Sequence, residues 1–154
     1  MGLDALRTFL RRHSRVAFDT SILIYQVEGY TPYVALTDSI FAWLETPGAN
    51  AVTSTITMTE LLVLPYRNGD EWRVRQFYGL MSSYPNLSWI APDLEIADLA
   101  ARLRTQYRLR TPDEVEAETA LHTGASAFIT NDAAFERVQG FEVLVLDRRR
   151  ASHH

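Results

Sequence analysis

Residues 100–135 read AARLRTQYRLRTPDEVEAETALHTGASAFITNDAAF, and this stretch decides the fold. Its apolar spacing predicts one helix over residues 93–107 and a second over residues 112–123. A short apolar run at 127–129 then predicts a buried strand that ends just before Asp132. Helices that alternate with such strands are typical of an α/β fold with parallel strands.

The rest of the chain repeats this alternation of helices and short apolar strands. Further helices are predicted over residues 3–12, 21–27, 33–45, 55–66 and 70–83. Further strands are predicted at residues 16–18, 51–53 and 87–90 and within 141–146. We therefore expect a layered α/β fold with a mostly parallel sheet.

The composition is that of a soluble globular protein. The chain has 154 residues, of which 47% are hydrophobic and 22% are charged, and this length fits a single domain over residues 1–147. Residues 148–154 are expected to fray, and His153 and His154 resemble the remnant of an expression tag. The N-terminus lacks the pattern of a signal peptide and no apolar run reaches membrane-spanning length, so we expect a cytoplasmic protein.

The charge pattern narrows the classes of function. The net charge is −4, which argues against a broad basic face for nucleic acid. All 15 basic residues are arginine. Two groups of them could track a phosphate backbone, although solvated helix faces are the favoured interpretation. The groups are Arg7, Arg11, Arg12 and Arg15, and Arg102, Arg104, Arg108 and Arg110.

Four acidic residues stand where open α/β sheets bind their ligands, after strands or in the helices that follow. Asp19 and Asp132 each follow a predicted strand, Asp113 opens a predicted helix, and Glu60 lies in the helix after the second strand. Asp19 and Asp132 could equally cap helices, and Asp113 could complement the helix dipole in a start with Thr111 as its N-cap. Glu60 lies in an apolar helix, where an unpaired carboxylate is costly, so it needs a partner.

Several carboxylates packed together need protons or a cation. Two of them about 4 Å apart repel by roughly 4 kcal/mol at an effective dielectric constant near 20. The chain has no cysteine and no pair of histidines at ligand spacing, so a zinc site is disfavoured. An all-oxygen set of ligands suits Mg²⁺ or Mn²⁺.

Three stretches of the sequence resemble the motifs of PIN domains. Residues 18–25, FDTSILIY, resemble the opening motif, and residues 57–61 resemble the second, with Glu60 as its acid. The stretch 100–135 resembles the third and fourth motifs, with Asp113 and Asp132 as their acids. The resemblance covers residues 15–146.

This resemblance implies a five-stranded sheet in the order 3-2-1-4-5 and a Mg²⁺- or Mn²⁺-dependent endonuclease that acts on RNA. The implied catalytic and metal-binding residues are Asp19, Glu60, Asp113 and Asp132. Asp19 and Asp113 are the first choices for metal contact. Thr130 and Ser21 match small polar positions of the family and are candidate auxiliary residues.

Many bacterial PIN domains are VapC-type toxins that an antitoxin holds inactive, so the resemblance also implies a small antitoxin protein as partner. We expect an amphipathic antitoxin segment in a groove lined by residues 21–45 and 55–83, with a basic side chain that reaches the carboxylates. A homodimer is left open. A PIN ribonuclease of RNA processing and a catalytically inactive PIN binding module are the alternatives. The retention of four mutually repelling acids argues against the inactive module.

The sequence departs from the toxin pattern in its acidic residues and at its start. Glu116 lies one turn after Asp113 and could face the same site, but a solvated helix residue is the favoured interpretation. Glu118 is expected to face solvent. The helix within residues 1–14 precedes the usual start of a PIN domain.

Overall fold

The computed structural model describes residues 1–148, which form a five-stranded sheet with seven α-helices and one 3₁₀ helix around it. The strands are β1 (Arg15–Phe18), β2 (Asn50–Ser54), β3 (Leu87–Ile90), β4 (Ala127–Thr130) and β5 (Glu142–Val145). The α-helices are α1 (Leu3–Arg11), α2 (Thr20–Glu28), α3 (Val34–Leu44), α4 (Thr55–Arg67), α5 (Glu71–Ser82), α6 (Leu94–Tyr107) and α7 (Asp113–His122). The 3₁₀ helix is Ala133–Arg137. The frayed tail predicted for residues 148–154 lies, apart from its first residue, outside the described residues.

The sheet is parallel throughout and has the order β3-β2-β1-β4-β5, which confirms the predicted fold class and strand order. The central strand β1 pairs with β2 on one side and with β4 on the other. Phe18, the last residue of β1, lies beside Ile129 of β4. The carboxyl ends of these strands therefore meet at one edge of the sheet.

The strands bury side chains on both faces of the sheet because successive residues of a strand point in opposite directions. Val16 and Phe18 pack into a larger core with α1 to α5, whereas Ala17 packs into a smaller core with α6, α7 and the 3₁₀ helix. The two cores explain why the strands are short apolar runs without polar alternation.

The N-terminal helix α1 is part of the larger core. Leu6, Phe9 and Leu10 are buried on one side of the helix, as their helical spacing predicts. The opposite side is exposed and carries Arg7 and Arg11. The helix is thus packed against the rest of the chain along its whole apolar side.

Helix α7 begins one residue later than its sequence indicates. Pro112 is the N-cap and Asp113 is the first helical residue, so the prediction of Thr111 as N-cap is wrong. The N–H of Asp113 is already bonded to the carbonyl of Arg110 at 2.6 Å, and the Thr111 hydroxyl donates instead to Glu114 at 2.9 Å. This start places Asp113 in the first turn of α7.

In the part of the chain that the structure describes, no helix combines the length and the apolar character needed to cross a lipid bilayer.

Candidate active site

Asp19 directly follows β1, and Asp132 lies two residues after the end of β4. The side chain of Asp19 accepts a hydrogen bond from the N–H of Ser21 at 3.0 Å and caps α2. Asp132 caps the 3₁₀ helix in the same way, through the N–H of Ala134 at 2.9 Å. Each of these two carboxylates can therefore cap a helix and also take part in a site at the sheet edge, because the cap uses only one of its two oxygens.

Thr130 and Ser21 hold the carboxylate of Asp19 in place. The hydroxyl of Thr130 donates to Oδ2 of Asp19 and accepts the N–H of Asp132 at 3.0 Å. The hydroxyl of Ser21 donates to Oδ1 of Asp19. Both predicted auxiliary residues thus contact the first acid, and Thr130 links it to the backbone of the fourth.

Glu60 is half-buried on α4 and has the partner that its apolar helix requires. The hydroxyl of Thr20, at the start of α2, donates to Oε1 of Glu60 at 2.6 Å. This contact joins α4 to α2 at the sheet edge.

Glu116 is buried, so the favoured interpretation of a solvated helix residue is wrong. Its exposed fraction is 4%, and its Oε1 lies 2.6 Å from the hydroxyl oxygen of Thr20 and accepts a hydrogen bond from Thr57 at 3.0 Å. Asp113 and Glu116 are three residues apart on α7 and share a face. Because α7 packs against β1, β2 and β4, that shared face turns toward the other acids. The spacing was the signal in the sequence.

The expectation of a solvent-facing Glu118 is also wrong, since only 6% of this residue is exposed. Helix α7 buries residues on several sides, Ala117 and Ala120 among them. A helix enclosed by the sheet and by α6 has little solvated surface. The acidic residues of its sequence had instead indicated an exposed helix.

A hydrogen-bond network of three threonines that the sequence did not single out, Thr20, Thr53 and Thr57, lies beside Glu60 and Glu116. Thr20 and Thr57 are 3.1 Å apart between their hydroxyl oxygens. Thr53, at the end of β2, contacts Thr57 at 3.2 Å and donates to the carbonyl of Phe18 at 3.0 Å. Single threonines in strands and helices carry no distinctive pattern, so only their convergence in space reveals this network.

These contacts define the carboxylate cluster, a group of five acids from four segments of the chain. Its members are Asp19, Glu60, Asp113, Glu116 and Asp132. The four acids predicted from the sequence belong to it, since the charges of Asp132, Asp19 and Glu60 act on Asp113 and those of Asp19 and Glu60 act on Glu116.

Burial and mutual repulsion make Asp19, Asp113 and Glu116 hard to ionise. Burial, and then the nearby charges of Asp132, Asp19 and Glu60, together raise the pKa of Asp113 to about 7. Burial also raises the pKa of Asp19 to about 6, although the hydrogen bonds from Ser21 and Thr130 oppose this shift. The pKa of Glu116 is raised well above its usual range by burial and then by Asp19. The cluster thus retains protons close to neutral pH.

The donor atoms of the carboxylate cluster fit a hard divalent cation. All of them are oxygens, and a positive charge would reverse the repulsion that raises these pKa values. Within residues 1–148, no three acidic or histidine side chains converge on one point as metal ligands. Hydroxyl and backbone donors hold several of the carboxylate oxygens. Metal binding would exchange some of these hydrogen bonds for coordination.

His122 lies away from the cluster. It is exposed in the last turn of α7, and nine residues of helix separate it from Asp113 by about 13 Å. This distance argues against a general-base role for His122.

The fold and this site define an α/β protein with an acidic site at the carboxyl edge of a parallel sheet. The model of the PIN domain family matches residues 16–140. The chain therefore belongs to the PIN domain family, whose members are nucleases that generally use divalent metal ions.

Solved structures with the same fold include two toxin–antitoxin complexes. A chain of VapBC2 from Rickettsia felis, bound to a DNA fragment from its promoter, is 17% identical with a TM-score of 0.67; the match covers 86% of this chain and 99% of that one. A chain of a toxin–antitoxin complex from Klebsiella pneumoniae is 25% identical with a TM-score of 0.62, covering 86% and 98%. No protein of curated function matches the chain in sequence.

Proposed function

We propose that this protein is a Mg²⁺- or Mn²⁺-dependent endoribonuclease and the toxin of a toxin–antitoxin pair. The observation that carries the proposal is the carboxylate cluster, in which acids from four segments meet beside the ends of β1 and β4. Such a cluster destabilises the fold unless protons or a cation neutralise it, so its presence favours a site that binds a cation.

The reaction is the hydrolysis of an RNA phosphodiester. A bound divalent cation lowers the pKa of a water molecule and neutralises charge on the phosphate. Asp19 and Asp113 would hold the cation, directly or through water. Glu60 and Asp132 complete its acidic surroundings, and one of them orients the attacking water.

The residues around these four acids have supporting roles in the proposal. Thr130 and Ser21 fix the carboxylate of Asp19 through their hydroxyl groups. Glu116 acts on Glu60 through the shared hydroxyl of Thr20, which lies 2.6 Å from both glutamates. We regard these three as positioning residues.

The test of the proposed activity is cleavage of a mixed pool of structured RNA with Mg²⁺, with Mn²⁺ and with EDTA. We expect cleavage only with a divalent ion, and we expect Asp113→Asn to abolish it. Asp98→Asn is the matched control, because Asp98 is exposed on α6 and lies outside the cluster. Undiminished cleavage in EDTA would contradict the metal mechanism.

An apolar groove on α4 and α5 supports the proposal of an antitoxin partner. The groove is lined by Met58, Leu62, Tyr66, Tyr78 and Trp89, among others, and has a volume of about 880 Å³. Tyr66 and Tyr78 are exposed by 63% and 54%. Residues 21–45 do not contribute to it, so this groove uses only the second half of the surface expected from the sequence.

Co-expression with the product of an adjacent small open reading frame tests this partner. We expect the two proteins to co-purify through high salt, because much of the buried surface would be apolar, and we expect the complex to be inactive on RNA. A neighbour that fails to bind, or that binds without inhibition, would favour a PIN ribonuclease of RNA processing instead.

A further inference from the structure

A cleft of about 310 Å³ adjoins the carboxylate cluster and is lined by three arginines. Its walls come from two segments, residues 108–113 and residues 132–137. The first segment supplies Arg108, Arg110 and the acid Asp113, and the second supplies Arg137 and the acid Asp132. Each segment therefore brings a cation and a member of the cluster to the same cleft.

The three arginines are exposed and are not neutralised by the acids beside them. Within residues 1–148, none of their guanidinium groups lies within 4.0 Å of a carboxylate. Three cations gathered on one cleft repel one another, so an anion that entered the cleft would relieve that repulsion. Guanidinium groups match the geometry of phosphate oxygens through paired N–H donors.

The backbone that carries the arginines is well anchored. Leu109, between Arg108 and Arg110, is 4% exposed and belongs to the smaller core. The carbonyl of Arg110 accepts the N–H of Asp113 at 2.6 Å, which closes the turn between α6 and α7. Arg137 donates to the carbonyl of Tyr107 at 3.2 Å. The backbone positions of Arg108 and Arg110 are thus fixed relative to Asp113.

The first arginine group of the sequence has a different location. Arg15 begins β1 at the opposite edge of the sheet, where it bonds Asn50 at 2.8 Å and the carbonyl of Thr123 at 2.7 Å. Arg12 pairs with Glu142 at the start of β5. These cations support the fold and are remote from the acids. From the second group, Arg108 and Arg110 line the cleft beside the acids, and Arg137 joins them through the tertiary structure.

We propose that Arg108, Arg110 and Arg137 form a subsite for the phosphate of a nucleotide next to the scissile one. This inference rests on the proposed RNA cleavage and adds a path for the RNA. The RNA chain would run from the carboxylate cluster into the cleft between α7 and the 3₁₀ helix. The arginines bind substrate here and take no part in the chemical step.

The backbone conformation of Arg108 allows a substitution that removes its side chain from RNA binding without a loss of protein stability. Arg108 is the C-cap of α6 with a φ of 57°, a left-handed conformation that glycine adopts more easily than arginine. We therefore expect Arg108→Gly to melt at the same temperature as wild type or above it while it loses affinity for RNA. A residue with only a structural role would not show this combination.

The experiment measures the affinity of a fluorescent single-stranded RNA by anisotropy in EDTA, over a range of KCl concentrations. We expect Arg108→Gly, Arg110→Ala and Arg137→Ala each to weaken binding roughly tenfold and to reduce the slope of log Kd against log salt by about 1. Arg75→Ala, an exposed arginine on α5, is the control and should leave both values unchanged. In the cleavage assay, we expect the three variants to raise KM more than they lower kcat.

Wild-type affinity and salt slope in all three variants would overturn the subsite, as would the absence of RNA binding by the wild type. The same holds if the variants lose affinity for an acidic partner protein and keep their affinity for RNA. Because binding is measured in EDTA, the two failures are distinguishable. Wild-type affinity in the three variants with intact metal-dependent cleavage would contradict the subsite alone, whereas loss of cleavage would contradict the proposed function on which the subsite rests.

Discussion

At the scale of single residues, the hydroxyl of Thr20 is the point where two glutamates meet. It lies 2.6 Å from Oε1 of Glu60 and 2.6 Å from Oε1 of Glu116, and it has one hydrogen to donate. A proton on Glu116 satisfies both contacts between Thr20 and the glutamates, because Glu116 then donates to Thr20 and Thr20 donates to Glu60. The raised pKa of Glu116, caused first by its burial, agrees with this arrangement.

We therefore expect Glu116→Gln to resemble the wild type, since glutamine has the shape and donor of a neutral glutamic acid. Its activity should stay within a few-fold of wild type, whereas Glu116→Leu should lose at least tenfold, because leucine leaves Thr20 without its donor and Thr57 without its acceptor. Steady-state kinetics over pH 6–9 check this, together with melting curves for both variants. Equal activity of the glutamine and leucine variants would show that Glu116 does not position Glu60.

Asp19→Asn should abolish activity without loss of stability in EDTA at pH 7.5. The substitution removes one charge from a repelling group, and asparagine remains a good N-cap for α2. Thermal melts in EDTA should place the variant level with the wild type or above it. A clearly lower melting temperature would mean that Asp19 serves mainly as a structural cap.

At the scale of elements, the question is whether helix α1, which precedes β1, is needed for the stability of the domain. Leu10 on α1 is 1% exposed, and we propose that residues 1–14 are an integral part of the domain. Leu10→Ala should lower the free energy of unfolding by about 2–5 kcal/mol, because it removes buried methyl groups and leaves a cavity. Urea denaturation measures this loss.

Leu3→Ala is the matched control on the same helix, since Leu3 is 39% exposed. It should cost less than about 1 kcal/mol. Equally small effects of both substitutions would mean that α1 is an appendage on a domain that folds without it.

At the scale of the whole molecule, the carboxylate cluster couples stability to pH and to metal. Burial raises the pKa of Asp19 to about 6 and that of Asp113 to about 7, above the value near 3.9 of an unfolded aspartate. The folded state therefore binds more protons than the unfolded state between these values. Stability from these groups is complete below about pH 4 and is lost as the pH rises through 6 and 7.

In EDTA, we thus expect the melting temperature to be higher at pH 5.5 than at pH 7.5, by roughly a few degrees. Mg²⁺ or Mn²⁺ at pH 7.5 should restore it, because a ligand that binds only the folded state stabilises that state. Asp113→Asn should flatten the pH dependence. An unchanged melting temperature across this range in EDTA would contradict the charge state assigned to the cluster.

Local sequence patterns predicted the elements of this protein and their parallel sheet, and the resemblance to PIN domains supplied the order of the strands. Short apolar runs such as 16–18 and 127–129 predicted buried parallel strands, because strands covered on both faces need no polar alternation. The acids at the ends of these runs followed from the same reasoning, since their positions depend only on where each strand stops. Apolar periodicity and strand ends are properties of neighbours along the chain.

Only the tertiary structure decided which side chains surround those acids. Glu116 and Glu118 are residues typical of a solvated helix face, yet α7 is enclosed by the sheet and by α6. Thr20 and Thr57 meet across 37 positions of sequence, and Arg137 reaches the cleft beside Asp113 from a different segment. Burial and through-space contact depend on how elements pack. The spacing of residues within one helix predicts which of them share a face, but it does not predict which element that face will pack against.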